Sequence, residues 1–169
     1  LWNEETDLSA ALKPNQQTHW ARTLIAGGGA IVPLDTLDNT GVTGSLKSLG
    51  YLVMAQPRPL SPDENVALDD WVRAGGRVLV LADPALTEES TFAIGDRRRP
   101  QSVAMLSPIL GRWGLDMSFD EAQEFEERTL AAEDADLPVK LPGKLALRKG
   151  ADCRLSGEGS SAIVRQRRC

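Results

Sequence analysis

The residue types that carry most hydrolytic and metal chemistry are scarce in this chain. It has one histidine, His19, and two cysteines, Cys153 and Cys169, among 169 residues. A Ser-His-Asp or Cys-His system would have to pass its proton through His19. That residue lies near the start of a helical pattern, ahead of every strand able to carry a nucleophile, where a histidine is ordinarily a surface group. One His and two Cys without CxxC spacing do not make a standard zinc site, so no metal ligands are assigned. A catalytic cysteine needs a base and a positioned turn, and neither is visible near Cys153 or Cys169. The two cysteines flank a turn, Gly157 to Ser161, that is centred closer to Cys153. They are therefore not natural cross-strand neighbours, and a disulfide, which needs Cα atoms within about 7 Å, is not expected.

Gly27-Gly28-Gly29 has the composition of a phosphate loop but the wrong setting. Such loops follow a strand and open a helix, so that helical N–H groups face the anion. This run follows a helical pattern and precedes a strand pattern, and no lysine with serine or threonine comes after it. It reads as a helix stop. Carboxylates are numerous, 24 in all, so counting does not exclude a two-carboxylate mechanism. Asp83 stands apart because it directly follows a buried strand. Asp35, Gln56, Arg58 and Asp83 each follow a predicted strand, and a parallel arrangement would bring them to the carboxyl edge, where open α/β sheets bind ligands. With Arg97, Arg98 and Arg99, which offer positive charge from a long loop, they form the candidate ligand or partner site. The plainer alternative makes them turn residues and a solvated loop tip.

The elements that would position these groups follow from pattern. Thr18 to Ala26 has helical spacing, with Trp20 and Leu24, and Ala21 and Ile25, as i,i+4 pairs. Ala30 to Leu34 reads as a short strand. Tyr51 to Ala55 is an apolar run of the kind covered on both faces. Ser61-Pro62-Asp63-Glu64 is a helix start with an N-cap, a proline in the first turn and a capping box. Ala67, Leu68, Trp71 and Val72 are expected to be its buried stripe, with Asp69, Asp70 and Arg73 in water. Gly75-Gly76 ends the helix, and Val78 to Ala82 is a second buried strand, completing a βαβ unit. From Pro84 to about Gln101 the chain is irregular. Val103 to Trp113 is helical in spacing, Gly114 closes it, and Leu115 to Phe119 is a strand. Leu137 to Leu147 and Cys153 to Arg167 read as short strands around turns.

Length and composition fit one domain with an appendage: hydrophobic residues make up 41% and charged residues 25%, enough for an ordinary core. The net charge of −5 argues against nucleic acid as a partner. Charge is unevenly spread. Asp116 to Asp136 holds nine acidic residues and one basic residue, whereas Lys140 to Cys169 holds eight basic and two acidic. The first reads as a solvated acidic helix or loop beside a basic hairpin, or as an acidic docking surface. No apolar run approaches the roughly 18 residues that span a bilayer. The organisation expected is a polar arm over 1–17, an α/β core over 18–119, and an acidic segment with a β-hairpin region over 120–169 that continues in a longer parent protein.

Two stretches carry a family resemblance. One runs from Tyr51-Leu52-Val53-Met54-Ala55-Gln56-Pro57-Arg58-Pro59-Leu60-Ser61-Pro62-Asp63-Glu64 through Trp71-Val72-Arg73-Ala74-Gly75-Gly76-Arg77-Val78-Leu79-Val80-Leu81-Ala82-Asp83-Pro84. The other is Ser107-Pro108-Ile109-Leu110-Gly111-Arg112-Trp113-Gly114-Leu115. Over Trp20 to Phe119 the chain resembles class I glutamine amidotransferase-like domains of membrane-anchored bacterial proteins. It is also similar to the auxiliary component of gliding-type ABC transporters. The resemblance implies a flavodoxin-like, mostly parallel sheet with helices on both faces, here with a C-terminal β-rich appendage. It further implies a periplasmic or extracytoplasmic location, membrane attachment through segments outside this chain, and protein partners among transport components. In true amidotransferases the strand matching Val78 to Ala82 leads into a glycine-flanked cysteine. Here that place holds Ala82-Asp83-Pro84-Ala85, without cysteine or glycine, and Pro84 lacks an N–H for an oxyanion hole. The expectation is a non-catalytic binding or scaffolding domain without a cofactor. The alternatives are a divergent carboxylate-dependent hydrolase or transferase, and a small-ligand sensor.

Overall fold

The computed structural model describes residues 32, 34–37, 45–87, 90, 92–96, 99–132, 135–151, 155–156 and 163–164. The chain divides into two compact units. The first comprises Leu1–Gln56, Leu60–Leu81 and Glu88–Pro100, the second Pro57–Pro59, Ala82–Thr87 and Gln101–Cys169. The chain is mixed α/β, with small sheets and few helices among the described residues. His19, Gly27-Gly28-Gly29, the helical pattern Thr18 to Ala26, Cys153 and Cys169 lie outside those residues. Of the strand expected over Ala30 to Leu34, Val32 and Leu34 are described, and neither is in a strand.

The first unit is organised by a β–α–β run. Strand β1 (Tyr51–Ala55) pairs in parallel with β2 (Arg77–Leu81), Tyr51 opposite Arg77 and Ala55 opposite Leu81. A parallel pair needs a long crossover, and helix α1 (Pro62–Arg73) supplies it. Its start is as the sequence predicts. Ser61 Oγ accepts from the Glu64 N–H at 3.2 Å, and Glu64 Oε2 accepts from the Ser61 N–H at 2.8 Å, with Pro62 in the first turn. Its end is a Schellman turn: the Gly76 N–H donates to the Trp71 carbonyl and the Gly75 N–H to the Val72 carbonyl, both at 3.0 Å. Gly75 takes φ +104, and Gly76 lies under the Trp71 indole, so the two glycines are required for different reasons.

Leu37, Leu46, Leu52, Met54, Leu68 and Trp71 are the buried apolar residues among those described in this unit. Full burial of Leu68 and Trp71 is worth roughly 1.5–3 kcal/mol each. Two expectations are corrected. Asp69 does not face water: it has no exposure, and the Arg73 guanidinium four residues on donates to it at 2.9 Å, supplying the countercharge a buried carboxylate needs. Nor are the strands covered on both faces. Tyr51, Leu79 and Leu81 are exposed, because the buried side chains of β1 are those of Leu52 and Met54, on the other face.

The second unit is antiparallel. Helix α2 (Ser107–Arg112) leads through Gly114, at φ +76, into β3 (Leu115–Ser118). The helix is shorter than the spacing over Val103 to Trp113 suggests. Pro108 has no N–H to bond the carbonyl of Ala104, so Ala104 stays outside the helix, and its own N–H donates to the Asp83 carbonyl at 3.1 Å. Ala104, Leu106, Ile109, Leu110 and Leu115 are buried. Strands β4 (Arg128–Ala132) and β5 (Ala135–Val139) form a hairpin, β3 pairs with β6 (Lys144–Leu147), and β7 (Leu155–Ser156) with β8 (Ile163–Val164). Of the described residues in the acidic stretch, 116–118 end β3, 119–127 form a loop, one of the two forms expected, and β4 and the start of β5 follow; β4 was not legible in it.

The described strands therefore make four two-stranded sheets, one parallel and three antiparallel, where one mostly parallel sheet was expected. Among the described residues, only the β1–β2 connection contains a crossover helix that returns the chain to the same end. Strands β4 and β5 run in opposite directions, with Ala132 opposite Ala135, and strands joined without a crossover pair antiparallel.

Candidate functional site

At the carboxyl end of β1, Gln56 extends the ladder by one step, its N–H donating to the Leu81 carbonyl at 2.8 Å. It then turns the chain with φ +42, the only positive φ of a non-glycine residue among those described, and it is buried. Pro57 follows, and a residue before proline is steered toward extended backbone. A left-handed, pre-proline glutamine costs of order 1–3 kcal/mol, which the surrounding structure must offset. Sequence spacing marks Gln56 as a strand-end residue but carries no signal for this conformation.

Asp35, in the same unit, is exposed and begins a short segment tied to helix α1. Two residues on, the Leu37 N–H donates to Glu64 Oε1 at 3.2 Å, so one buried carboxylate both closes the helix cap and anchors this segment. The Thr36 hydroxyl oxygen between them is buried without a hydrogen-bond partner. Neither Thr36 nor the second task of Glu64 was legible in the sequence. The capping box explains Glu64 locally, and its bond to Leu37 spans 27 positions.

Arg99 folds its own loop. Its guanidinium donates to the Phe92 carbonyl at 2.6 Å and the Ser90 carbonyl at 3.5 Å, while its N–H bonds Asp96. A turn from Ala93 to Asp96, with Gly95 at φ +91, places Ile94 at the loop surface, 92% exposed. Arg97 and Arg98 lie outside the described residues.

The other two members belong to the second unit. Arg58 is exposed and donates to the neighbouring Pro59 carbonyl at 2.9 Å. Asp83 forms a side-chain turn: its Oδ1 accepts from the Ala85 N–H at 3.0 Å. The same turn is held by Ala104 on the Asp83 carbonyl and by the Leu86 N–H on the Ser102 carbonyl at 2.9 Å. Gly143 adds close packing, since a Cβ there would sit 2.6 Å from the Pro84 ring. Of the seven site residues expected from sequence, Asp35, Gln56 and Arg99 thus fall in one unit, Arg58 and Asp83 in the other.

The acidic and basic segments meet within the second unit. Asp116 on β3 accepts from Arg148 Nε at 2.7 Å, and Lys144 stands 3.8 Å from Asp120. The bond to Asp116, and then its charge, hold the Arg148 guanidinium above its already high ordinary pKa. Among the described residues no group of three or more His, Cys, Asp or Glu could hold a metal ion, and no helix is long and apolar enough to cross a membrane.

This is a mixed α/β chain with a capped βαβ unit and a braced turn after its second strand. Residues 17–160 match the family described as "Domain of unknown function (DUF4350)". The match covers most of the sequence, and the chain belongs to that family. No curated protein and no solved structure matches it.

Proposed function

We propose that the chain is a non-catalytic binding or scaffolding domain, the extracytoplasmic part of a membrane-anchored protein associated with an ABC-type transport system. In this reading its framework is flavodoxin-like, of the class I glutamine amidotransferase-like kind. The resemblance over Trp20 to Phe119 motivates the location and the transport association, and the parallel β1–α1–β2 unit is compatible with the framework. The observation that carries the non-catalytic part is the turn after β2. A nucleophile elbow presents a side chain outward and a following N–H toward an oxyanion. Here Asp83 turns its carboxylate onto the Ala85 N–H, and Pro84 has no N–H to offer.

Purified protein assayed with glutamine, a p-nitrophenyl ester and a peptide substrate is expected to show no turnover. Turnover that disappears in Asp83→Asn would overturn the proposal in favour of a carboxylate-dependent enzyme. A second reading, a small-ligand sensor, is favoured by the buried left-handed Gln56 at the strand end. Conformational outliers of this kind are concentrated at ligand clamps and switches. Under that reading Gln56→Gly relieves the backbone, stabilises the chain and alters ligand response. A stability loss on the same substitution would assign Gln56 a packing role.

A further inference from the structure

We infer that the Asp83–Pro84 peptide bond is a self-cleavage site, at which the Asp83 side chain cuts the backbone that carries it. The inference goes beyond the proposed function, because the reaction spends one bond of the chain and turns over no external substrate. Asp83 Oδ1 accepts from the Ala85 N–H at 3.0 Å, and the ring closed by this bond contains the Asp83 carbonyl carbon and the Pro84 nitrogen. The carboxyl is thereby kept beside the bond it precedes, as nucleophile next to electrophile. The Ala104 N–H donates to the Asp83 carbonyl oxygen at 3.1 Å, where negative charge builds during attack. Gly143 lies against the Pro84 ring, which a Cβ would approach to 2.6 Å, so the leaving group is held as well. Asp83 and Pro84 are half-buried, which leaves water access to the bond.

Proline decides the route. An aspartate side chain can ordinarily be attacked by the next backbone nitrogen, which closes a succinimide and leaves the chain intact. The Pro84 nitrogen carries no hydrogen, so that path is shut. The remaining five-membered closure is attack of the Asp83 carboxyl oxygen on its own carbonyl carbon. A C–O bond forms, the C–N bond to Pro84 breaks, and the carboxyl proton passes to the departing nitrogen, which becomes a secondary amine. Water then opens the cyclic anhydride, giving hydroxyl to one carbonyl and a proton to the oxygen that leaves it. The products are a chain ending in Asp83 and a chain beginning at Pro84. The net reaction is hydrolysis of one peptide bond, and water is its one co-reactant.

The test is incubation of the purified chain at the lowest pH at which its circular dichroism stays native, with and without urea at that same pH. Intact mass and N-terminal sequencing read the products. Fragments ending at Asp83 and beginning at Pro84 are expected. They should form at least about tenfold faster in the folded chain than in the urea-unfolded one, because only the fold holds the nucleophile and the carbonyl's donor in place. Asp83→Ala should abolish the cut in both states. Gly143→Ala, kept native by the same criterion, should slow the cut in the folded chain and leave the rate in urea unchanged. An uncut wild type, equal rates in the two states, or a cut that survives Asp83→Ala would overturn the inference. Equal rates would leave only the ordinary acid lability of an Asp–Pro bond, and survival in Asp83→Ala would point to a contaminating protease.

Discussion

Helix α1 is terminated by groups lying between Ser61 and Gly76, whereas β3 is held by β6 and by Arg148, 32 positions from its partner Asp116. Each arrangement gives backbone and side-chain groups their partners, but over different ranges. In α1 the cap, the first-turn proline, the buried stripe and the glycine turn agree with one another at fixed offsets. In the second unit no local signal states that Leu115 faces Leu147 or that Gly143 must be small enough for Pro84. The comparison yields a rule that substitutions can break. Damage to α1 should be large and traceable to one local cause, and damage to the β3–β6 region small and shared.

The largest effect is expected at Trp71. Trp71→Ala empties a buried site and removes the ring from Gly76, at a cost of about 3–5 kcal/mol in urea unfolding, near the whole stability of a marginal domain. A loss below about 1 kcal/mol would mean that the α1 core collapses onto the vacancy and that the helix is not the centre of its unit.

Gly76→Ala comes next. Its Cβ would stand 2.3 Å from the indole of a buried residue, an overpacking worth about 1–3 kcal/mol. Gly75 has open space around it, so Gly75→Ala meets only the left-handed backbone penalty, about 1–2 kcal/mol, and Gly75→Asn less. The pair separates by double-mutant cycle. The Gly76→Ala cost should vanish in the Trp71→Ala background, and the Gly75→Ala cost should persist there. Equal persistence of both would show that Gly76 is needed for backbone geometry alone. A smaller loss, about 1 kcal/mol, is expected for Ser61→Ala, which removes the acceptor for the Glu64 N–H and leaves Glu64 bound to Leu37.

What could be read from sequence follows the same division. Ser61, Pro62, Glu64, Gly75 and Gly76 announce α1 because each acts on backbone within one turn of itself. Leu68 and Trp71 are legible from period, but Asp69 is not, since nothing local says that its side of the helix is covered. The helix over Val103 to Trp113 was read too long because apolar spacing outweighed the missing N–H of Pro108. At the candidate site, spacing placed Asp35, Gln56, Arg58 and Asp83 after strands. It was silent on what occupies them: a left-handed backbone at Gln56, a side-chain turn at Asp83, a neighbouring carbonyl at Arg58. Those features depend on contacts such as Ala104 with Asp83 and Gly143 with Pro84, which join positions far apart in the chain.

The smallest effect is expected at the Arg148–Asp116 pair, although it is the shortest ionic contact among the described residues of the second unit. Both side chains are about half exposed, so water and salt screen the attraction. The guanidinium also donates to the Gly111 carbonyl at 3.4 Å at the end of α2, where a cation meets the negative end of the helix. The pH sign is clear. A raised cation pKa gives stability that is present below its unfolded value and lost only as pH rises through the folded one. For Arg148 that window lies above the already high ordinary value of an arginine, beyond any working range. Salt is therefore the lever, and the coupling between Arg148→Ala and Asp116→Ala should shrink as salt is raised from low to molar concentration. A coupling that survives molar salt would mean that the pair is held by geometry, as the Schellman turn holds Gly75. Gly111→Ala refines the point, because its Cβ meets only the flexible end of Arg148, 2.6 Å from Nη1. The arginine should swing aside, the Asp116 contact should weaken, and stability should change little; a loss as large as that of Gly76→Ala would make the β3–β6 region as rigidly specified as α1.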